Sequence, residues 1–215
     1  MFALIADFSF GQCVIYFDDE DEFLASVQSP SMESFEGIAV TNSFTSDQLV
    51  TIGFTIDVTT PSPSLGVWDT PDTGGFATDG DNWVGYQSDD NETMTFSFNS
   101  PKNAFGLNIV DWGDNGSGTL TFTNDAGDFF QISVSPLLNG NQQFFGVINH
   151  DFIFTTVTFT QTIPGEFFGI DEVYCDSLAG PIMACKDINV SLNQDCEINV
   201  IPQMVLAGSH ACADS

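Results

Sequence analysis

The 215-residue chain carries 30 Asp and Glu residues against two Lys and Arg residues, a formal net charge of −28. This charge excludes nucleic acid and anionic membrane surfaces as partners, and it predicts that salt screens the chain or that cations such as calcium bind to it. A hydrophobic content of 42% excludes disorder for most of the chain and suffices for one domain plus a fragment of a second.

The first twelve residues are apolar and end in small or polar residues. We interpret residues 1–12 as the tail of a truncated signal peptide, although the basic start is missing; a first core strand is the alternative. No later stretch approaches the run of about 18 apolar residues that a membrane helix needs. The sequence therefore predicts a secreted chain without membrane insertion.

A short strand-like run from Cys13 to Phe17 leads into the acidic residues 18–22 and then into the segment EFLASV. Phe23, Leu24 and Val27 share one helical face, and acidic residues are favourable at the positive N-terminal end of a helix. The pattern predicts one short helix. We interpret the acidic run as solvated charge at the start of that helix, without a functional role.

From Glu33 onward the hydrophobic period changes to two, with Thr and Ser between the apolar residues. Segments rich in Gly, Asn, Asp and Pro separate the strands, as tight connections require. About ten such strands without intervening helices predict an antiparallel, jelly-roll-like β-sandwich domain over residues 13–175. The alternating apolar sets are Met94, Phe96 and Phe98; Leu120 and Phe122; Phe130, Ile132 and Val134; and Val157 and Phe159.

A Phe-Gly-apolar tripeptide occurs three times, at residues 105–107, 145–147 and 168–170. A glycine between core residues of a strand usually marks a bulge or the close approach of another segment. The repeat therefore has a structural explanation.

The composition changes at Asp176, where residues 176–184 are typical of a linker. Residues 185–215 are too few for a domain and predict a β-hairpin. The five cysteines (Cys13, Cys175, Cys185, Cys196 and Cys212) fit no zinc template and predict disulfides in an oxidising compartment, with the pairing left open.

Three ordered stretches carry a resemblance: EFLASV with MESFEGIAV, then TFSFNSPKNAFGLNIVDWGD, then FFGVI, VTFT and FFGIDEVYC. Over about residues 15–175 they resemble the secreted bacterial β-sandwich modules of PEP-CTERM-type and other sorted exoproteins. The resemblance implies a jelly-roll-like extracellular module.

Residues 185–215 resemble the opening of the Ig-like repeats in adhesin-type surface proteins of Bacteroidetes. Ile201 stands where those repeats usually have Thr before the proline. This second resemblance implies an incomplete Ig-like repeat, further domains beyond residue 215 and a bacterial cell-surface location.

Calcium is the metal that the acidic residues favour. Asp111 and Asp171 share strand parity with apolar neighbours, which predicts a carboxylate pointing inward at the end of each strand. Calcium readily takes carboxylate oxygens, and Glu36 joins Asp171 if the first and last strands of the domain pair. The alternative is that backbone hydrogen bonds in turns satisfy these carboxylates.

Four aromatic residues, Trp68, Trp83, Tyr86 and Trp112, lie in or beside loops rich in Gly and Asp. Flat rings next to carboxylates and amides suit stacking on sugar rings, which makes these residues the candidate ligand-binding set. The alternative is that they are ordinary loop-closing aromatics.

Catalytic patterns are weak in this chain. Asp171 and Glu172 are adjacent and so expected on opposite faces of a strand, and neither His150 nor His210 belongs to a nucleophilic motif. The sequence therefore predicts a non-catalytic extracellular module for adhesion or for binding an extracellular polysaccharide, stabilised by calcium. The alternatives are a glycan-processing enzyme or its accessory domain, and a structural spacer.

Overall fold

The computed structural model describes residues 14–59, 64–69, 71, 75–88, 92–113, 116, 118–134, 140–150, 152–163, 165–177, 184–185 and 206–207. The predicted signal peptide and nearly all of the predicted Ig-like repeat lie outside the described residues. Both therefore stay predictions.

One helix and fifteen strands are described. The helix α1 spans Glu20–Ser26. The strands are β1 (Val14–Phe17), β2 (Ser31–Glu33), β3 (Gln48–Val50), β4 (Phe54–Val58), β5 (Leu65–Trp68), β6 (Trp83–Ser88), β7 (Thr93–Lys102), β8 (Ala104–Val110), β9 (Gly118–Asn124), β10 (Phe129–Val134), β11 (Gln142–Asn149), β12 (Phe154–Gln161), β13 (Glu166–Asp176), β14 (Ala184–Cys185) and β15 (Leu206–Ala207).

Two antiparallel sheets form the domain, which confirms the predicted β-sandwich. The first sheet has seven strands in the order β1-β11-β8-β13-β6-β5, with β2 also paired to β13. The second sheet has six strands in the order β10-β9-β12-β7-β4-β3. Strands β14 and β15 form a separate antiparallel pair, outside both sheets.

The core lies between the two sheets and is rich in phenylalanine. Phe96 of the second sheet meets Phe105 of the first with ring centroids 5.3 Å apart, and Phe122 stacks on Phe145 at 3.6 Å. The predicted alternating residues Met94, Phe96, Phe98, Leu120, Phe122, Val157 and Phe159 are all buried. The two-residue period thus correctly predicted the inner faces of these strands.

Helix α1 packs on the outer face of the first sheet rather than between the sheets. Asp19 caps it, accepting a hydrogen bond from the backbone N–H of Glu22 at 3.0 Å. Phe23 is fully buried against Phe144 of β11 and Tyr174 of β13. The apolar stripe predicted for this helix therefore covers the part of the outer face formed by β11 and β13 around these two residues.

Two paired glycines make the close approach of this helix possible. Gly106 of β8 lies opposite Gly146 of β11. A Cβ atom at Gly146 would lie 2.7 Å from the Phe23 ring, and one at Gly106 would lie 2.8 Å from the Phe144 ring. The repeated Phe-Gly-apolar tripeptide therefore has the structural meaning that the sequence predicted.

Asp176, the last residue of β13, holds the segment that follows helix α1. Its carboxylate is buried and accepts hydrogen bonds from the backbone N–H groups of Gln28 and Ser29 at 3.1 and 3.0 Å. Cys175 beside it is a buried free thiol, and burial raises its pKa to about 12. The predicted disulfides therefore do not involve Cys175, and the pairing of the other cysteines stays a prediction.

Helix α1 is too short to cross a bilayer, and no other helix in the described part of the chain has the length and hydropathy of a membrane span.

We expect Gly146→Ala to lower the free energy of unfolding by about 1–3 kcal/mol, because the new methyl group would force Phe23 and Phe144 apart. Gly53→Ala is the matched control, since nothing lies within 4 Å of a Cβ at that position. The control should stay within about 0.5 kcal/mol of wild type in urea unfolding. Equal losses in both variants would contradict the role assigned to the glycine pair.

Candidate functional site

A bulge in β13 shapes the middle of the outer face of the first sheet. Asp171 pairs with Asn108 of β8, and Tyr174 pairs with Gly106. Between these two pairs β13 has one more residue than β8. The extra residue is Glu172, whose φ of 47° lies in the left-handed region that non-glycine residues seldom adopt.

The bulge changes which side chains share a face. Ile170, Val173 and Cys175 belong to the core, a spacing of three residues and then two. Asp171 alternates with Ile170 and so lies on the outer face, and the Glu172 carboxylate reaches Asn108 on that same face. The expectation that Asp171 and Glu172 lie on opposite faces is therefore wrong, because the bulge interrupts the two-residue alternation.

Five side chains form a hydrogen-bonded group that we call the outer-face network: Glu20, Asn108, Gln142, Glu172 and Tyr174. Asn108 Nδ2 donates to Glu20 Oε2 at 3.0 Å and to Glu172 Oε2 at 2.8 Å. The Tyr174 hydroxyl contacts Glu20 Oε1 at 2.5 Å and Glu172 Oε1 at 3.0 Å. Gln142 Nε2 donates to Asn108 Oδ1 at 3.0 Å.

The network is buried on the side of the sheet and exposed on the side of the solvent. Asn108 and Tyr174 are buried, Glu20 and Glu172 are partly exposed, and Gln142 is exposed. Burial and the contacts with the two glutamates raise the pKa of Tyr174 above its usual range, so its hydroxyl is neutral. Two buried donors therefore hold a pair of partly exposed carboxyl groups side by side.

Sequence reasoning missed this group. The acidic run that contains Glu20 is interpreted above as solvated charge, and three of the five residues are not singled out there. The inward direction predicted for Asp171 is wrong, whereas Glu172 does lie on the outer face. One signal is available in the sequence: the apolar residues of FGIDEVYC follow an interrupted period, since Val173 comes three positions after Ile170 rather than two. Such an interruption indicates a bulge.

Asp171 lies next to the network and is fully buried. Its Oδ2 accepts from the backbone N–H of Thr78 at 2.7 Å, from the Thr78 hydroxyl at 3.1 Å and from the backbone N–H of Asp79 at 3.0 Å. Its Oδ1 accepts from the backbone N–H of Glu172 at 2.8 Å. Burial raises the pKa of Asp171 to about 6, and these hydrogen bonds offset that effect only in part.

Glu36 holds the other end of the same segment. Its Oε1 accepts from the backbone N–H groups of Asp81 and Asn82, both at 2.7 Å. Gly80 comes directly before these two residues, and a Cβ at Gly80 would collide with the Glu36 carboxylate. Glu36 and Asp171 are therefore brought to one segment, residues 78–82, and the two carboxylates fix it from opposite ends.

Asp111 is held elsewhere, after the end of β8. It is buried with a φ of 63°, and its Oδ1 accepts from the backbone N–H of Gly140 at 2.5 Å. Across the described ranges, no group of three or more His, Cys, Asp or Glu side chains is placed to hold a metal ion. The three predicted calcium ligands thus accept backbone hydrogen bonds, the alternative stated above, and calcium stays a prediction.

The four candidate stacking aromatics are buried. The exposed fractions are 3% for Trp68, 0% for Trp83, 1% for Tyr86 and 0% for Trp112. The first three lie in β5 and β6 rather than in loops. None of the four presents a ring to solvent, which corrects the expectation of loop platforms for sugar stacking.

Glycines explain the burial of the two stacked tryptophans. Trp68 lies on Trp83 with ring centroids 5.3 Å apart and an interplanar angle of 23°. Gly66 and Gly85 are paired across β5 and β6, and a Cβ at either would come within 2.8 Å of the Trp68 ring. The rings therefore sit flat on the backbone of the first sheet.

Comparison with known proteins gives no family model and no curated protein that matches. Among the solved structures that are similar, three have TM-scores between 0.37 and 0.42. The module TmCBM61 in complex with β-1,4-galactotriose is 15% identical, covering 57% of this chain and 88% of its own, at TM-score 0.39.

A cleaved adhesin domain of Lys-gingipain from Porphyromonas gingivalis W83 is 8% identical, covering 70% and 99%, at TM-score 0.42. A variant of a family 29 carbohydrate-binding module is 11% identical, covering 70% and 93%, at TM-score 0.37. All three TM-scores lie below 0.5.

We expect the pH dependence of stability to differ between wild type and Asp171→Asn. Because the native pKa of about 6 lies above the ordinary value of 3.8, the native state binds more protons between these limits. The stability contributed by this group is thus fully present below pH 4 and is lost as the pH rises through about 6. The free energy of unfolding of wild type, relative to the variant, should fall by about 2–3 kcal/mol from pH 4 to 7.

Urea unfolding of both proteins at pH 4, 5, 6 and 7 measures this difference. The comparison largely cancels the general repulsion of the acidic surface, since the variant differs by one charge. A relative stability that rises with pH over this range would show that the hydrogen bonds of Asp171 outweigh its burial.

Proposed function

We propose that this chain is a non-catalytic extracellular module that binds neutral glycans through the outer-face network of the first sheet. The observation that carries the proposal is the pair of partly exposed carboxyl groups, Glu20 and Glu172, fixed by Asn108 and Tyr174 beside the exposed amide of Gln142. A net charge of −28 excludes acidic polysaccharides as ligands.

The chemistry of the network suits sugar hydroxyl groups. A carboxylate offers about four lone-pair sites. The Asn108 amide donates to one oxygen of each glutamate, and the single Tyr174 proton can serve only one of the two oxygens that its hydroxyl contacts. The remaining lone pairs can accept from sugar hydroxyls, while the Gln142 amide can both donate and accept. Since Asn108 and Tyr174 already fix the carboxyl groups, little side-chain freedom is lost on binding.

The same pair of carboxyl groups favours one alternative, glycoside hydrolysis, because retaining glycosidases use two carboxyl groups about 5 Å apart. The contacts argue against it. The Tyr174 hydroxyl and the Asn108 amide each bridge Glu20 and Glu172, so protein atoms occupy the space that a scissile bond would need.

Secretion, a bacterial cell-surface location and adhesion belong to the same proposal. The resemblance to sorted exoproteins and to adhesin-type repeats supports them, as does a charge that only a saline or cation-containing medium screens. A structural spacer is the remaining alternative, and a binding experiment separates the two.

We expect the protein to bind at least one neutral polysaccharide on a glycan array, and Gln142→Ala and Glu172→Gln to weaken that binding about tenfold each in calorimetry, as the loss of one or two hydrogen bonds predicts. Gln131→Ala is the control, since Gln131 is an exposed glutamine on the second sheet. If wild type binds no neutral glycan, the glycan-binding proposal is wrong and the structural spacer is favoured. Release of reducing ends by wild type and not by Glu172→Gln would establish the enzyme instead.

Calcium stabilisation is tested separately. At constant ionic strength, calcium at a hundredfold excess over its dissociation constant should raise the unfolding midpoint by about 5 °C or more relative to chelator. Asp171→Ala and Asp111→Ala should each reduce the rise, since the two carboxylates lie in different parts of the structure, and magnesium is the matched control. If calcium does not raise the unfolding midpoint of wild type more than magnesium does, the proposed calcium stabilisation is wrong.

A further inference from the structure

A small cavity opens where one edge of the first sheet meets the second sheet. The edge strand β1 contributes Tyr16, whose hydroxyl donates to the carbonyl of Phe129 in the edge strand β10 at 3.0 Å. The space measures about 220 Å³ including its open mouth, and the part that a water-sized group can enter has room for about one such group. Its lining residues are Tyr16, Phe122, Thr123, Asn124, Asp128, Phe130, Phe145, Val147 and Val157.

One charged side chain, Asp128, lines this mostly apolar space. It is 6% exposed, and its Oδ2 accepts from Asn124 Nδ2 and from Asn149 Nδ2, both at 2.7 Å. Its Oδ1 is buried and has no hydrogen-bond partner among the described residues. A buried carboxylate oxygen left in this state is costly, which points to a donor that comes from outside the chain.

The charge of Asp128 is not balanced by nearby basic groups. The chain has two basic residues; Lys102 lies in β7, on a different strand from those that line the cavity, and Lys186 lies outside the described residues. Tyr16 is the other titratable residue of the lining, and burial and the Asp128 charge both raise its pKa, so it stays neutral. The lining of the cavity thus contains one acidic side chain and no basic one.

We propose that this cavity binds a primary ammonium group, with Asp128 Oδ1 accepting one of its N–H bonds and the aromatic walls attracting its charge. The walls include Tyr16, Phe122, Phe130 and Phe145, and an ammonium near aromatic rings gains cation–π attraction. An ammonium head has about the size that this space admits, and its alkyl stem can lie in the open mouth.

Other occupants fit less well. Calcium takes six to eight oxygen ligands, whereas the lining offers chiefly rings and aliphatic side chains. Water can donate to Asp128 Oδ1 but leaves its charge in apolar surroundings. A primary ammonium supplies both the donor and the opposite charge.

Two sources share this chemistry: a free alkylamine and a lysine side chain of a partner protein. The net charge of −28 draws either to the surface. The inference does not depend on glycan binding, because the cavity lies at the β1–β10 edge of the sandwich and shares no residue with the outer-face network.

The test measures the unfolding midpoint and the side-chain amide NMR signals of Asn124 and Asn149 during titration with methylammonium chloride. Sodium chloride at the same ionic strength and tetramethylammonium chloride, which has no N–H, are the comparison salts. We expect methylammonium alone to raise the midpoint and shift both amide signals. Nα-Acetyl-lysine methylamide should act like methylammonium if a lysine side chain can enter, and should have no effect if only small free amines fit.

Asp128→Asn should weaken methylammonium binding at least about tenfold, because it removes a buried charge partner while keeping the shape. Asp57→Asn is the control, since it removes one charge from the second sheet away from the cavity and should bind as wild type does. Amide signals that shift equally with all three salts, or equal binding by both variants, would overturn the proposal. The NMR measurement on wild type decides the matter even if Asp128→Asn does not fold.

Discussion

Buried carboxyl groups without basic partners are the constraint on which this structure depends. Five acidic residues are buried among the described residues, Asp111, Asp128, Glu166, Asp171 and Asp176, in a chain with two basic residues. Two basic residues cannot neutralise all five by ion pairing, and an unsatisfied buried charge is costly. The chain uses N–H and hydroxyl donors instead, so the burial of each carboxyl group fixes the segment that supplies its donors.

Those donors tie distant parts of the chain together. Asp176 holds residues 28–29 after helix α1, Asp171 and Glu36 hold residues 78–82, and Asp111 holds the turn before β11. Asp176 ends β13 and Asp111 follows the end of β8, whereas Asp171 lies in the middle of β13. Each of these carboxylates accepts backbone N–H groups from a segment that connects two strands or follows the helix. The acidic residues thus order the connections of the sandwich, as phenylalanines fill its core.

Two pairs of glycines on neighbouring strands determine which side chains pack on the outer face of the first sheet. Gly106 and Gly146 admit helix α1, and Gly66 and Gly85 admit the stacked tryptophans. The polar outer-face network lies in between, around the bulge at Glu172. This arrangement explains why the exposed hydrogen-bonding groups of this face are carboxyl and amide groups, while its aromatic rings are covered.

The sequence by itself determined the fold class, the helix and the inner faces of the strands, because the two-residue and helical periods of the apolar residues are local properties. It also determined that Phe-Gly-apolar tripeptides mark close approach. The site was decided only by the tertiary structure. Glu20 and Glu172 are far apart in sequence and meet because the helix packs on a bulge. Asp171 and Val173 share strand parity but lie on opposite faces, because the residue inserted between them reverses the face of every later side chain.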